Sequence, residues 1–322
     1  MTAPRLRGAA IFAAVLAVMS LLVSAPAEAG MATGSKFVGN VINGPSAPAT
    51  FASYWNQVTP ENDGKWGSVE ATRGTMNWAN LDSIYTYAGS QSLPVRAHTL
   101  VWGQQEPAWV AGLSAVDQKA AVTNWIAQAG ARYGSRTAFV DVVNEPLHNP
   151  PSYAAAIGGA GSTGWDWVIW SFEQARAAFP NSKLQLNEYG IINDPNAAAT
   201  YVTIVNLLKA RGLIDTVGIQ CHYFNLERAS VSTMGVVLDK LDTTALPIYV
   251  TELDLTGTDS TQLTKYQTKF PVLWEHPSVK GVTLWGYEAG KIWSARGELI
   301  RADGSERPAM QWLKSYVAGA GL

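Results

Sequence analysis

Three features of the chain predict an α/β protein folded as a single (β/α)8 barrel. Eight short apolar runs alternate with eight amphipathic ones, the apolar runs read as strands buried on both faces, and polar residues gather where those runs end. Repeats of about 20–50 residues, the mark of solenoids and propellers, are not visible in the sequence.

The elements follow in order. A strand at 37–42 leads to a short helical pattern at 48–54. The second strand, 55–59, runs into Glu61, Asn62 and Lys65 before a helix at 78–91. A third, 94–102, carries His98 and Trp102 and is followed by Gln105; its helix, 115–133, opens with Ser114 as cap and Asp117 in the first turn. The fourth, 139–145, ends on Asn144 and Glu145, with a helix at 165–179. Strand 184–189 ends on Asn187, Glu188 and Tyr189, and its helix, 196–211, has Pro195 at a first helical position and Gly212 as a stop. Strand 217–223 carries Gln220 and His222 ahead of a helix at 231–241, and strand 247–254 carries Glu252 and Asp254 ahead of one at 261–274. The eighth strand, 279–286, holds Trp285 and precedes a helix at 308–317. In a barrel of this kind the functional side chains sit at the C-terminal ends of the strands, so all of these polar residues are expected on one rim.

Composition sets the class. Arg5 and Arg7 precede an apolar run from 11 to 23, and Ala27 and Ala29 form a small-residue cleavage site, so residues 1–29 read as a secretory signal peptide and 30–322 as one catalytic domain without an appended module. The run is short for a membrane span, which predicts a secreted, extracellular protein with no membrane partner. Removing the leader leaves 21 basic and 24 acidic residues, a net charge near −3 that predicts no nucleic-acid partner. The lone Cys221 excludes an internal disulfide and reads as a small buried hydrophobe within a strand. No metal or cofactor is expected, because no His/Cys/Asp cluster has ligand spacing, and a monomer is the default. The 13 Trp and 12 Tyr exceed the 8 Phe, a balance suited to stacking on sugar rings as well as to packing. Trp66, Trp78, Trp109, Trp125, Trp165, Trp167 and Trp170 lie outside the rim and are expected to pack helices and loops.

Two rim segments carry the chemistry: Asp141-Val-Val-Asn144-Glu145-Pro146 ends the fourth strand and Tyr249-Val-Thr-Glu252-Leu-Asp254 the seventh. Strands four and seven face each other across a barrel mouth, the placement that glycoside cleavage asks of its two carboxyls. With Gln57-Val-Thr-Pro-Glu61-Asn62, Lys65-Trp66, His98-Thr-Leu-Val-Trp102, Asn187-Glu188-Tyr189, Gln220-Cys221-His222 and Leu284-Trp285-Gly286, these segments make the chain resemble glycoside hydrolase family 10 over nearly its whole mature length.

The resemblance implies a TIM barrel endo-β-1,4-xylanase acting on xylan or xylo-oligosaccharides. It implies Glu145 as acid/base and Glu252 as nucleophile, with carboxyls about 5–5.5 Å apart and net retention. His222, paired with Asp254, is expected to orient Glu252, and Asn144 to bind the sugar 2-hydroxyl. His98 and Lys65 are expected to add donors around the same sugar. Glu61, Asn62 and Gln105 are expected to hold the next sugar, and Trp102, Trp285 and Trp293 to wall the cleft. Gln220 joins the binding set, Asn187 and Tyr189 the supporting one, and Glu188 is expected to act as a hydrogen-bonding scaffold. The chain departs from the family at Gly103, where a histidine is common, at Tyr287-Glu288-Ala289-Gly290 after the eighth strand, and at Asp63-Gly64. Cleavage of another β-linked glycoside is the alternative within the same chemistry. A binding protein without activity is the alternative outside it.

Overall fold

A computed structural model describes residue 1 and residues 30–320, so the leader expected at 1–29 lies, but for its first residue, outside the described residues. Its eight strands are β1 (Phe37–Ile42), β2 (Val58–Pro60), β3 (Arg96–Ala97), β4 (Phe139–Asn144), β5 (Lys183–Glu188), β6 (Thr216–Ile219), β7 (Ile248–Leu253) and β8 (Val279–Leu284). All pair in parallel, in the order β2-β1-β8-β7-β6-β5-β4-β3. The two ends meet through a parallel bridge from Val58 to Val95, where the Val58 N–H donates to Pro94 at 3.0 Å. A TIM barrel is the result, as the alternation of runs predicts.

Among the described residues ten α-helices surround or cap it: α1 (Phe51–Tyr54), α2 (Trp66–Val69), α3 (Ala79–Ser90), α4 (Ala115–Tyr133), α5 (Asp166–Ala178), α6 (Pro195–Lys209), α7 (Tyr223–Leu226), α8 (Val231–Asp242), α9 (Asp259–Trp274) and α10 (Pro308–Ala320). Their starts obey the local chemistry read from the sequence. Ser114 accepts the Asp117 N–H at the head of α4, and Pro195 occupies the first turn of α6 behind Asp194, which accepts from Asn196 and Ala197. Gly212 turns the chain after α6 at φ +66°, in the left-handed region open to glycine.

The strands are short where the rim is busy. Nine residues are expected in the third strand, yet only Arg96 and Ala97 pair as a strand. The chain then leaves the ladder at His98, whose Nδ1 meets Asp141 at 2.9 Å, and rejoins it at Val101 opposite Val143. The sixth stops at Ile219. Cys221 therefore lies beyond the strand at φ +64° rather than inside it, although it is buried as expected. The second begins only at Val58, because Trp55 ends α1.

Between strands and helices the packing is aliphatic and aromatic, and the tryptophans read as packing residues all join or abut this core. Polar side chains link the strands to one another. Asp141 accepts from Arg96 at 2.7 Å and from Gln185 at 2.8 Å, Thr216 donates to Gln185 at 3.0 Å, and Thr251 donates to Asn187 at 2.6 Å. Burying Asp141 is tolerable because each oxygen has a partner and one partner is cationic. This cross-strand network forms the bed on which the rim residues stand.

Candidate active site

At the C-terminal ends of the strands lies an open cleft of about 1140 Å³. Glu61, Asn62, Lys65, His98, Trp102, Asn144, Glu145, Tyr189, Gln220, His222, Glu252, Trp285 and Trp293 all line it. Of the other expected site residues, Asn187 and Asp254 lie beneath the surface, and Gln105 is not among the lining residues. Gln104, Asn149 and Phe224 line the cleft and were not anticipated.

Glu145 is the first residue beyond β4 and sits at φ +58°, a backbone region that side chains other than glycine seldom enter. Its side chain is held from both sides. Oε1 accepts from Gln220 at 2.9 Å and from Asn144 at 3.3 Å, and Oε2 accepts from Trp102 at 2.7 Å and Asn149 at 2.6 Å. Asn149 reaches it because the loop after β4 closes a turn, the Asn149 N–H donating to the Glu145 carbonyl at 2.8 Å. That four-residue spacing was the available sequence signal. Glu188 braces the same loop: it is fully buried and accepts from the Leu147 N–H at 2.8 Å, and it meets His148 Nδ1 at 2.9 Å. It serves as a hydrogen-bonding scaffold, and its partner His148 is an exposed residue of that loop.

Glu252 lies within β7, 4% exposed. Asn187 donates to its Oε1 at 2.7 Å, and His222 Nε2 stands 3.2 Å from its Oε2. Burial opposes ionisation here, but the His222 hydrogen bond and the nearby His98, His222 and Arg96 outweigh it and hold the carboxyl down at about 2. The same pairing acts in reverse on His222. Burial disfavours its charge, yet Asp254 and Glu252 push it up to about 10. A cationic imidazole donates from both nitrogens, so His222 bridges Glu252 and, 3.3 Å from Nδ1, Asp254. Asn187 ties the halves together, since the amide nitrogen that serves Glu252 also donates to Asn144 at 2.8 Å.

On one flank, Lys65 donates to Asn62 at 3.0 Å and stands 4.8 Å above the Trp102 ring. Burial lowers its pKa against the pull of Glu252, Glu61 and Glu145, and burial raises that of Glu61 against the pull of Lys65. Gln105 supports Asn62 at 3.3 Å from outside the cleft. Trp285, 6% exposed, packs edge-on against His98 at 5.1 Å, whereas Trp293 is 49% exposed. No group of His, Cys, Asp and Glu able to hold a metal ion occurs among the described residues, and no described helix is long and apolar enough to cross a membrane. Paired carboxyls, one firmly ionised and both in a sugar-sized groove, suit displacement at an acetal carbon.

The family model of glycosyl hydrolase family 10 matches residues 22–316. Endo-1,4-beta-xylanase B of Cellvibrio japonicus is 42% identical over 283 residues, covering 86% of this chain but 45% of that protein, so the chain spans less than half of that relative's length. Endo-1,4-beta-xylanase 2 of Claviceps purpurea is 28% identical, covering 84% of this chain and 82% of that one. In fold, native xylanase 10B from Thermotoga maritima superposes with a TM-score of 0.76 at 22% identity, over 88% of this chain and 95% of that chain.

Proposed function

The chain belongs to glycosyl hydrolase family 10, and on that premise we propose that it is a secreted endo-β-1,4-xylanase that cleaves internal xylosidic bonds with net retention. The observation that carries this reading is the contrast between its two cleft glutamates. Glu252 is held ionised by a cationic imidazole, and Glu145, just beyond β4 in the same cleft, accepts hydrogen bonds from neutral donors.

In the first step Glu252 attacks the anomeric carbon while Glu145 gives its proton to the departing oxygen, leaving a glycosyl ester on Glu252. Forming that ester removes the negative charge of Glu252, which favours Glu145 as the base for the second step. Water deprotonated by Glu145 then displaces Glu252, and the second inversion restores the β configuration. Asn144 binds the sugar 2-hydroxyl, and His98 and Lys65 add donors to the same sugar, a reading supported by all three lining the cleft. Glu61 and Asn62 hold the next sugar, with Trp102, Trp285 and Trp293 as walls. Gln105, which donates to Asn62 at 3.3 Å, holds that sugar together with it.

The test uses protein recovered from culture medium, whose amino terminus is expected at Gly30. Incubated with glucuronoxylan, it should release short xylo-oligosaccharides, and kcat/KM on xylan-type substrates should exceed that on the matching glucans. Absence of short products, or binding of xylohexaose without turnover, contradicts the proposal.

A further inference from the structure

Trp293 enters the reading above as an apolar wall, but its polar edge has a separate job. Its indole Nε1–H donates to Asp254 Oδ2 at 2.7 Å. That same oxygen faces His222 Nδ1 at 3.3 Å, while Asp254 Oδ1 accepts the Tyr223 N–H at 2.6 Å. Asp254 is 2% exposed, so it meets little water and its hydrogen bonds must come from these neighbours. The Trp293 ring also packs edge-on against the imidazole, 5.0 Å between centroids. Asp254 is thus fixed on one side by the loop after β6 and on the other by the loop after β8.

We propose that Trp293 is a positioning residue for the nucleophile: its indole N–H sets the Asp254 carboxylate that orients His222 against Glu252. The inference rests on Glu252 being the attacking group. A neutral donor on Oδ2 shares the carboxylate's charge with His222, so the loop after β8 governs how much of that charge the imidazole receives. The charged groups facing His222 are Glu252 from β7 and Asp254 just beyond it. Glu252 in turn feels His98 and Arg96 of the third strand segment and Lys65 after β2. None of these sits on the loop that carries Trp293, so its electrostatic effect on the imidazole passes through Asp254, while its ring contact with the imidazole is the part that Trp293→Phe retains.

Trp293→Phe keeps an aromatic face and removes only the donor, whereas Trp293→Ala removes both. With the phenylalanine variant, kcat on xylo-oligosaccharides should fall about tenfold while KM changes by less than about twofold, the pattern of an interaction made in the transition state. With the alanine variant KM should rise as well. Independently of turnover, the imidazole resonances of His222, followed by NMR, should titrate at higher pH in Trp293→Phe than in the parent, because Asp254 then faces the imidazole alone. An unchanged His222 titration, or a phenylalanine variant altered only in KM, overturns the proposal. The NMR reading stands even if xylan proves not to be the substrate, so the two failures are distinguishable.

Discussion

Glu252 and His222 are each stabilised in charged form by the other, and that makes the pair a pH-dependent contributor to folding. The folded pKa of Glu252 is depressed, so its contribution is present above the ordinary carboxyl value of 4.5 and is lost as pH falls toward about 2. That of His222 is raised, so its contribution is complete below 6.5 and is lost as pH rises through about 10. Thermal denaturation across pH should therefore show this contribution at its largest between 4.5 and 6.5. In His222→Ala the decline on the alkaline side should flatten; an unchanged alkaline slope in that variant would contradict the pairing. At this scale the sequence was informative about residues whose chemistry is distinctive and placed at strand ends. It was less so about adjacent equals. Gln105 and Gln104 are the same residue type one position apart; Gln104 lines the cleft and Gln105 meets Asn62.

Helix α4 shows how elements are held at the distance the barrel needs. A β-carbon added at Gly130 would stand 2.5 Å from the Ala178 carbonyl oxygen and 2.6 Å from the Ala178 side chain, so α4 and the end of α5 touch backbone to backbone there. Gly130→Leu should cost about 1–3 kcal/mol through overpacking, despite the better helix propensity of leucine, and chemical denaturation would read it. A neutral or stabilising result would show that the two helices can part freely. Long periodic elements such as α4, α6 and α9 were legible in the sequence because their apolar stripes and caps are local signals. The ends of β3 and β6 were not. There the backbone departs from the ladder to serve Asp141 and to place His222, and such departures depend on partners far along the chain.

For the molecule as a whole, eight parallel strands bring Glu145 and Glu252, 107 positions apart in sequence, to one opening, and the polar bed beneath them ties β3, β4, β5 and β7 into a single support. The barrel and the polar cleft at its rim could be read from strand count and strand-end chemistry. The tie between Trp293 and Asp254 could not, because it joins two loops whose paths no local pattern fixes. The proposed retaining reaction requires Glu252 to bond directly to the sugar while Glu145 faces it. Treating the protein with a 2-deoxy-2-fluoro-xylobioside bearing a good leaving group, then mapping the trapped adduct by peptide mass spectrometry, tests that directly. The expected result is one sugar ester on Glu252 alone. A label on Glu145, or continued turnover by inversion with no adduct, would contradict it.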